Sequence, residues 1–157
     1  MSETARLADQ IRRAFDGDAW HGDSLLEILK GVNANMAAAH PIKNAHNIWA
    51  LVLHIAAWDG AALQRTGGAA VELSDEQNFP PVKDTSETVW SKAIQHAKHT
   101  HGDLVKAVAA FPDSRLQEQV PGKTESYYNF FYLFSGIVQH ELYHAGQIAL
   151  LKKAQAQ

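Results

Sequence analysis

The sequence contains no cysteine. This absence excludes disulfides, cysteine metal ligands and a cysteine nucleophile, and it fits a protein of a reducing compartment. Basic residues are also few, because 14 Lys and Arg stand against 17 Asp and Glu and give a net charge of −3. Without a basic stripe, a nucleic-acid partner is not expected.

Long apolar segments and targeting signals are missing as well. The richest apolar run, at 130–138, is too short to cross a bilayer. The first residues lack the basic start and the apolar stretch of a signal peptide. We therefore expect a cytoplasmic protein that has no membrane partner.

The apolar residues recur at helical spacing, and the alternation typical of strands is nearly absent. This spacing predicts four long helices, at 3–16, 47–66, 85–111 and 127–154. Two shorter helical pieces are expected at 25–32 and 33–39, and 69–84 is expected to be a loop because it contains Pro80-Pro81. We predict an all-α protein in which one domain, 1–157, forms a four-helix bundle with short extra helices in its first connection. The long loop allows one crossover.

Histidine is the residue type that points to a function, since the chain has nine of them. Imidazole is a common ligand of zinc and nickel at neutral pH. His140 and His144 are four residues apart on a predicted helix, so both imidazoles lie on one inward-facing stripe and can share a metal ion. Two core histidines without a metal are the alternative, but buried imidazoles side by side need partners, and one ion serves both.

A third ligand is expected from a neighbouring helix, because two ligands seldom hold a metal ion well. His54 is the best candidate, since its helical face, which includes Trp58, is largely apolar. Three histidines with an open coordination position are typical of a catalytic zinc site. Gln147, one turn after His144, is placed to lie just outside the ligands or to contact a fourth ligand of the metal.

The other histidines are given lesser roles. His46, close to the start of the second long helix, and His21, in a turn, are candidates for the mouth of a pocket, as is His40. Three more lie in a polar run of the third long helix and are expected to be solvated on its surface: His96, His99 and His101.

The string from His140 to His144 also reads His-Glu-x-x-His, which is the zinc metalloprotease motif. No histidine and no glutamate follow it, so the usual downstream third ligand is missing. A sheet edge on which such proteases hold their substrates is not predicted either. A peptidase is therefore a minor alternative. Glu141, about 100° from His140 around the helix, is a candidate base, a residue beside the ligands, or simply a residue on the helix flank.

Three segments together resemble the DinB/YfiT-like superfamily of small metal-binding helical bundles, and the resemblance covers almost the whole chain. Trp20-His21-Gly22 is similar to that family's first connection. The segment from Asn47-Ile48-Trp49 to His54 and Trp58 is similar to its second-helix motif, and His140-x-x-x-His144-x-Gly146-Gln147-Ile148 to its last-helix motif. The resemblance implies a three-histidine site for zinc or nickel, made by His54, His140 and His144.

One departure from the family lies within the last motif. Tyr143 stands where many relatives place another histidine, which leaves a phenol near the metal. We therefore include Tyr143, with Glu141, among the candidate catalytic residues.

The resemblance implies an activity less sharply than a site. The family includes S-transferases and isomerases that use a low-molecular-weight bacterial thiol, and proteins described as metal-dependent hydrolases. Our hypothesis is a metal-dependent enzyme that acts on a small molecule by thiol transfer or hydrolysis, with a thiol cosubstrate in the first case. A non-catalytic metal-binding or ligand-binding bundle and a helical interaction module are the alternatives.

Aromatic residues are concentrated at the start of the last helix. Around a helix they cannot all face one core, so some should cover a neighbouring subunit or line a pocket, unless they form an extensive core with a few exposed tyrosines. The family usually forms homodimers, and we expect a homodimer here. The six aromatic residues are Tyr127, Tyr128, Phe130, Phe131, Tyr132 and Phe134.

Overall fold

The computed structural model describes residues 1–156, which form seven α-helices and one short 3-10 turn, Asp113–Arg115. Four helices are long: α1 (Glu3–Phe15), α4 (Ile48–Thr66), α6 (Glu87–Ala109) and α7 (Phe130–Ala154). Three are short: α2 (Leu25–Leu29), α3 (Ala34–Ala38) and α5 (Asp75–Asn78). Within 1–156 extended pairing is limited to two isolated bridges. The all-α prediction, with four long helices packed together, is confirmed.

Side chains just before the long helices fix where the helices begin. Ser2, Asn47, Ser86 and Asn129 each accept a hydrogen bond from a backbone N–H in the first turn that follows. Asn129 also explains why α7 starts at Phe130, three residues after the start predicted at residue 127, because the residue that caps a helix lies just before it. Tyr127 lies in a turn, and Asn129 itself pairs with Gln119 in an isolated bridge.

The long helices form a closed four-helix bundle. α4 packs against both α6 and α7, and α1 packs against the same two helices, so α1 and α4 lie at opposite corners. Both α4 and α6 begin in one apolar cluster, which includes Trp49 and Trp90, and end in another, which includes Leu104 and Phe134. They therefore run in the same direction, and the connection between them is a crossover.

This crossover, residues 67–86, is more ordered than the sequence predicts. It contains α5, whose start is fixed by a capping box in which Ser74 and Gln77 bond to each other's backbone N–H. The prediction of a loop over the whole of 69–84 is therefore wrong at α5. The Ser74-x-x-Gln77 pattern was the signal for it.

The final turns of α7 hold the short helices in place. Lys152 Nζ donates hydrogen bonds to the backbone carbonyls of Ile28 at 2.8 Å and of Lys30 at 2.6 Å. Gln155 Nε2 donates to the carbonyl of Met36 at 3.0 Å. These bonds satisfy carbonyls at the ends of α2 and α3 that lack an intrahelical partner.

A polar layer separates the two apolar clusters of the bundle. On α4, α6 and α7 the clusters are interrupted at Asp59, His101 and Glu141, each of which is at most 4% exposed. None of the helices in 1–156 is long and apolar enough to cross a membrane.

Candidate metal centre

His54, His140 and His144 meet where α4 faces α7. The three imidazole centroids are 4.5 to 4.9 Å apart, and one ring nitrogen from each residue lies within 4.8 Å of the other two. His54 and His144 are buried and His140 is half-buried. The spacing of four residues on α7 brings two of the rings together, and the contact of α4 with α7 supplies the third.

Hydrogen bonds fix the orientation of two of the three rings. His54 Nδ1 lies 2.8 Å from the backbone carbonyl of Asn78, and His144 Nδ1 lies 2.7 Å from Gln147 Oε1. Both partners are acceptors, so Nδ1 of each ring carries the proton and Nε2 is left as a free lone pair. Such contacts typically set the tautomer of a metal-binding histidine.

The distance between His54 and His140 also fits a shared cation. Their Nε2 atoms lie 3.0 Å apart, and His140 Nδ1 is buried without a hydrogen-bond partner. Two nitrogens bound to one zinc ion at about 2.1 Å would be about 3.0 to 3.4 Å apart for bond angles of 90° to 109°. The donor set therefore fits a divalent metal ion, with Nε2 of His54 and Nε2 of His140 turned toward each other.

All three imidazoles are held in the neutral form that binds metals. Burial lowers the pKa of His54 and of His144. Burial also lowers the pKa of His140, to about 3, with a further contribution from the charges that its two histidine neighbours would carry. The protein therefore does not need to lose a proton from these rings near pH 7 before they coordinate a cation.

The crossover supplies a wall of the site that the sequence did not reveal. Phe79 stacks on the ring of His54 at 4.2 Å and on the ring of His46 at 4.0 Å. Asn78 accepts from His54 through its backbone and from Trp58 Nε1 through its side chain, at 2.8 Å in each case. Because 69–84 was expected to be a loop, neither Asn78 nor Phe79 was a candidate residue.

A small, mainly apolar cavity opens beside His140. Its volume is about 170 Å³, and its lining includes Trp58, Tyr128, Tyr132 and Gly136. A Cβ atom added to Gly136 would have no neighbour within 4 Å, so this glycine leaves the cavity open. Of the three histidines, His140 lines this space.

Two other candidates lie further from the cavity. Tyr143 is 65% exposed, and its ring contacts the edge of His144 with centroids 5.0 Å apart. His21 is exposed and lines a different depression, with Val138 and Leu142, on another side of α7. The structure thus brings Gln147, Trp58 and His46 near the three histidines, while His21 faces elsewhere.

The expectation that His101 is solvated is wrong. It is 4% exposed, its ring stacks on Phe15, and its Nδ1 lies 3.0 Å from Asp59 Oδ2 and 2.9 Å from Glu141 Oε1. Burial alone would lower the pKa of His101, but the two carboxylates raise it to about 9. Burial in turn raises the pKa of Glu141 to about 8 and raises that of Asp59. Asp59, His101 and Glu141 therefore form a second polar cluster, in addition to the three histidines.

A sequence signal for His101 was available. The buried residues of α6 follow strict helical spacing: Trp90, Ala93, Ala97, His101, Leu104 and Val108. The prediction relied instead on the polar run around His101. Its polar neighbours then suggested a solvated residue.

Comparison with known proteins agrees with this architecture. The family model of the DinB superfamily matches residues 19–148, a range that contains all three histidines of the candidate centre. Neither the curated proteins nor the solved structures contain a match to the chain. Since the family model spans most of its length, this chain belongs to the DinB superfamily.

Proposed function

We propose that this protein is a metal-dependent enzyme acting on a small molecule, of the thiol-dependent S-transferase or hydrolase type. In this proposal His54, His140 and His144 hold a zinc or nickel ion. The observation that carries the proposal is the convergence of the three imidazoles. Nδ1 of His54 is hydrogen-bonded to Asn78, and Nδ1 of His144 is hydrogen-bonded to Gln147.

A divalent ion in such a site lowers the pKa of a bound water or thiol and so supplies a nucleophile at neutral pH. The three imidazole ligands are neutral, so they do not reduce the net charge of the ion. A divalent ion held by these residues would therefore favour an anionic partner, such as a thiolate. The chain has no cysteine, so a thiol cosubstrate would have to come from solution.

The cavity beside His140 is the proposed substrate pocket. Trp58 and Leu133 provide apolar surface, while the hydroxyls of Tyr128 and Tyr132 are the nearby polar groups that can orient a substrate. Tyr143 lies outside this lining, and we propose for it only a contact at the exposed edge of His144.

The position of Glu141 argues against a peptidase. In a His-Glu-x-x-His enzyme the glutamate acts as a base beside the metal. Here its carboxylate is fully buried against His101, and neither oxygen has a hydrogen-bond partner. We therefore do not assign Glu141 the role of base at the three-histidine centre.

The first test is the metal content of untagged protein, measured by plasma mass spectrometry. We expect about one zinc or nickel ion per chain in the wild type, loss of that ion in His54→Ala, and retention in His99→Ala. His99 is a suitable control because its side chain is 80% exposed on α6. Equal metal content in the wild type and His54→Ala would contradict the ligand assignment.

The second test separates an enzyme from a non-catalytic metal-binding bundle. Gly136→Leu places a side chain into the cavity, whereas Gly146→Leu adds the same side chain at an exposed position of α7 where a new Cβ also meets no atom within 4 Å. With a panel of low-molecular-weight thiols, electrophiles and esters, turnover should be lost in the first variant and kept in the second, with metal content equal in both. Metal binding without turnover of any substrate would favour the non-catalytic alternative.

A homodimer, which the resemblance implies, is part of the same proposal. Its candidate surface is the start of α7, where Tyr127, Phe131 and Tyr132 are 39% to 59% exposed. Analytical ultracentrifugation of the wild type and Phe131→Ser tests this assignment, since a dimer through this surface should dissociate in the variant.

A further inference from the structure

The second polar cluster has the composition of a cation site. Asp59, His101 and Glu141 come from α4, α6 and α7, and they each present one ligand atom within 4.8 Å of the others. All three are buried in the layer that separates the two apolar clusters of the bundle. Neither the proposed enzyme chemistry nor the three-histidine centre uses them.

Hydrogen bonding within the cluster leaves most of its polar atoms unsatisfied. A proton on His101 Nδ1 can be donated to Asp59 Oδ2 at 3.0 Å. Within residues 1–156, both oxygens of Glu141, Asp59 Oδ1 and His101 Nε2 are buried and have no hydrogen-bond partner. Although Glu141 Oε1 lies 2.9 Å from Nδ1, one N–H points in only one direction and does not satisfy both carboxylates. A fully buried carboxylate without a partner is costly.

The short distances match ligands arranged around one ion. Two ligand atoms bound at about 2.1 Å with an angle of 90° lie about 3.0 Å apart. The observed separations from Nδ1 are 3.0 Å to Asp59 Oδ2 and 2.9 Å to Glu141 Oε1. A bound cation would displace the protons that this cluster holds. The neutral His101 and the two carboxylates would then carry a total charge of −2, which a divalent cation balances.

We propose that Asp59, His101 and Glu141 form a second metal site, which takes a divalent transition ion of the manganese or iron class. Two carboxylates and one imidazole suit such an ion, since carboxylates favour harder cations while imidazole favours transition metals. The three-histidine centre, which offers nitrogen ligands only, suits zinc or nickel. The two sites therefore differ in the metal that they select.

A groove on the surface of the bundle reaches one member of the second site. His101 forms part of the wall of a broad groove between α1, α2 and α6, with a volume of about 800 Å³. Phe15 covers the ring of His101 on the same side, with ring centroids 4.0 Å apart and an angle of 10° between the ring planes. Asp59 and Glu141 do not line the groove, so an ion that enters from it would have to displace these two rings.

The test uses Mn²⁺ as the probe, in a variant that lacks the first site. In His54→Ala/His140→Ala/His144→Ala, electron paramagnetic resonance of free Mn²⁺ should reveal about one bound ion per chain. Added Glu141→Gln or Asp59→Asn should weaken this binding at least tenfold, whereas added Asp103→Asn, at a more exposed carboxylate on α6, should not. Circular dichroism identifies which variants are folded, and the comparison is made among those.

Crystals of the wild-type protein provide an independent measurement. Anomalous diffraction at the manganese edge, after soaking in Mn²⁺, should give a peak between Asp59, His101 and Glu141. The proposal is overturned if that peak is absent, or if the folded triple-alanine variant binds no Mn²⁺. It is also overturned if nitrogen NMR shows His101 still protonated at saturating Mn²⁺, because a protonated cluster would then explain the carboxylates without a metal.

Discussion

The hydrogen bond between His144 and Gln147 gives a quantitative prediction about metal affinity. Gln147→Leu keeps the approximate size of the side chain but removes the only acceptor of His144 Nδ1, at 2.7 Å. Because His144 is 8% exposed, water has little access to replace that acceptor. The ring loses its orientation and its preferred tautomer, while the ligand itself is still present.

The expected loss of metal affinity is measurable but smaller than the loss caused by removing a ligand. Removing a partner of this kind typically weakens metal binding 10- to 100-fold, which equals about 1.4 to 2.8 kcal/mol. The change is smaller than loss of a ligand, because His54 and His140 are unaltered and His54 keeps its own bond to Asn78. Competition with a chromophoric chelator for zinc at pH 7.5 measures the affinity.

Gln147→Glu is the matched variant, since a carboxylate still accepts from Nδ1 and makes the ring more basic. We expect it to bind zinc at least as tightly as the wild type. An affinity of Gln147→Leu within twofold of the wild type would refute the reasoning. Equal losses in both variants would also refute it, because they would point to packing of α7 and not to the hydrogen bond.

Two further predictions concern the scaffold. Asp113 accepts from two first-turn amides of α1, and these bonds hold its carboxyl pKa below the ordinary 3.8. The stability that these hydrogen bonds give is therefore present above pH 3.8 and is lost as the pH falls through the lowered pKa. The difference in Tm between the wild type and Asp113→Asn should shrink below about pH 4. Trp90→Phe removes the hydrogen bond that Nε1 donates to the buried carbonyl of Val32 at 3.0 Å. In guanidinium titrations this change should lower the free energy of unfolding by about 1 to 3 kcal/mol. Trp20→Phe, at a fully exposed site, should leave it unchanged.

Much of the first site follows from local sequence. A spacing of four residues places His140 and His144 on one face of any helix, and an apolar stripe on either side indicates that the face is buried. His54 required more, because nothing local says which helix lies opposite. The apolar face of its helix, together with the family resemblance, identified it.

The parts that sequence reasoning missed depend on contacts between distant elements. Asn78 belongs to a four-residue helix that is too short to show a period, and only the crossover brings its carbonyl to His54. His101 was misplaced because its immediate neighbours are polar. Its burial depends on which face of α6 meets α1 and α4.

The hydrogen bonds from Lys152 and Gln155 to α2 and α3 have a consequence for folding during synthesis. The carbonyls of α2 and α3 that these side chains satisfy lie 119 to 124 residues earlier in the chain. At about 5 to 20 residues per second, a ribosome needs about 6 to 24 s to make the residues in between. The short helices therefore wait that long for these side chains, and chaperones that shield apolar segments on the ribosome have that interval in which to bind α2 and α3.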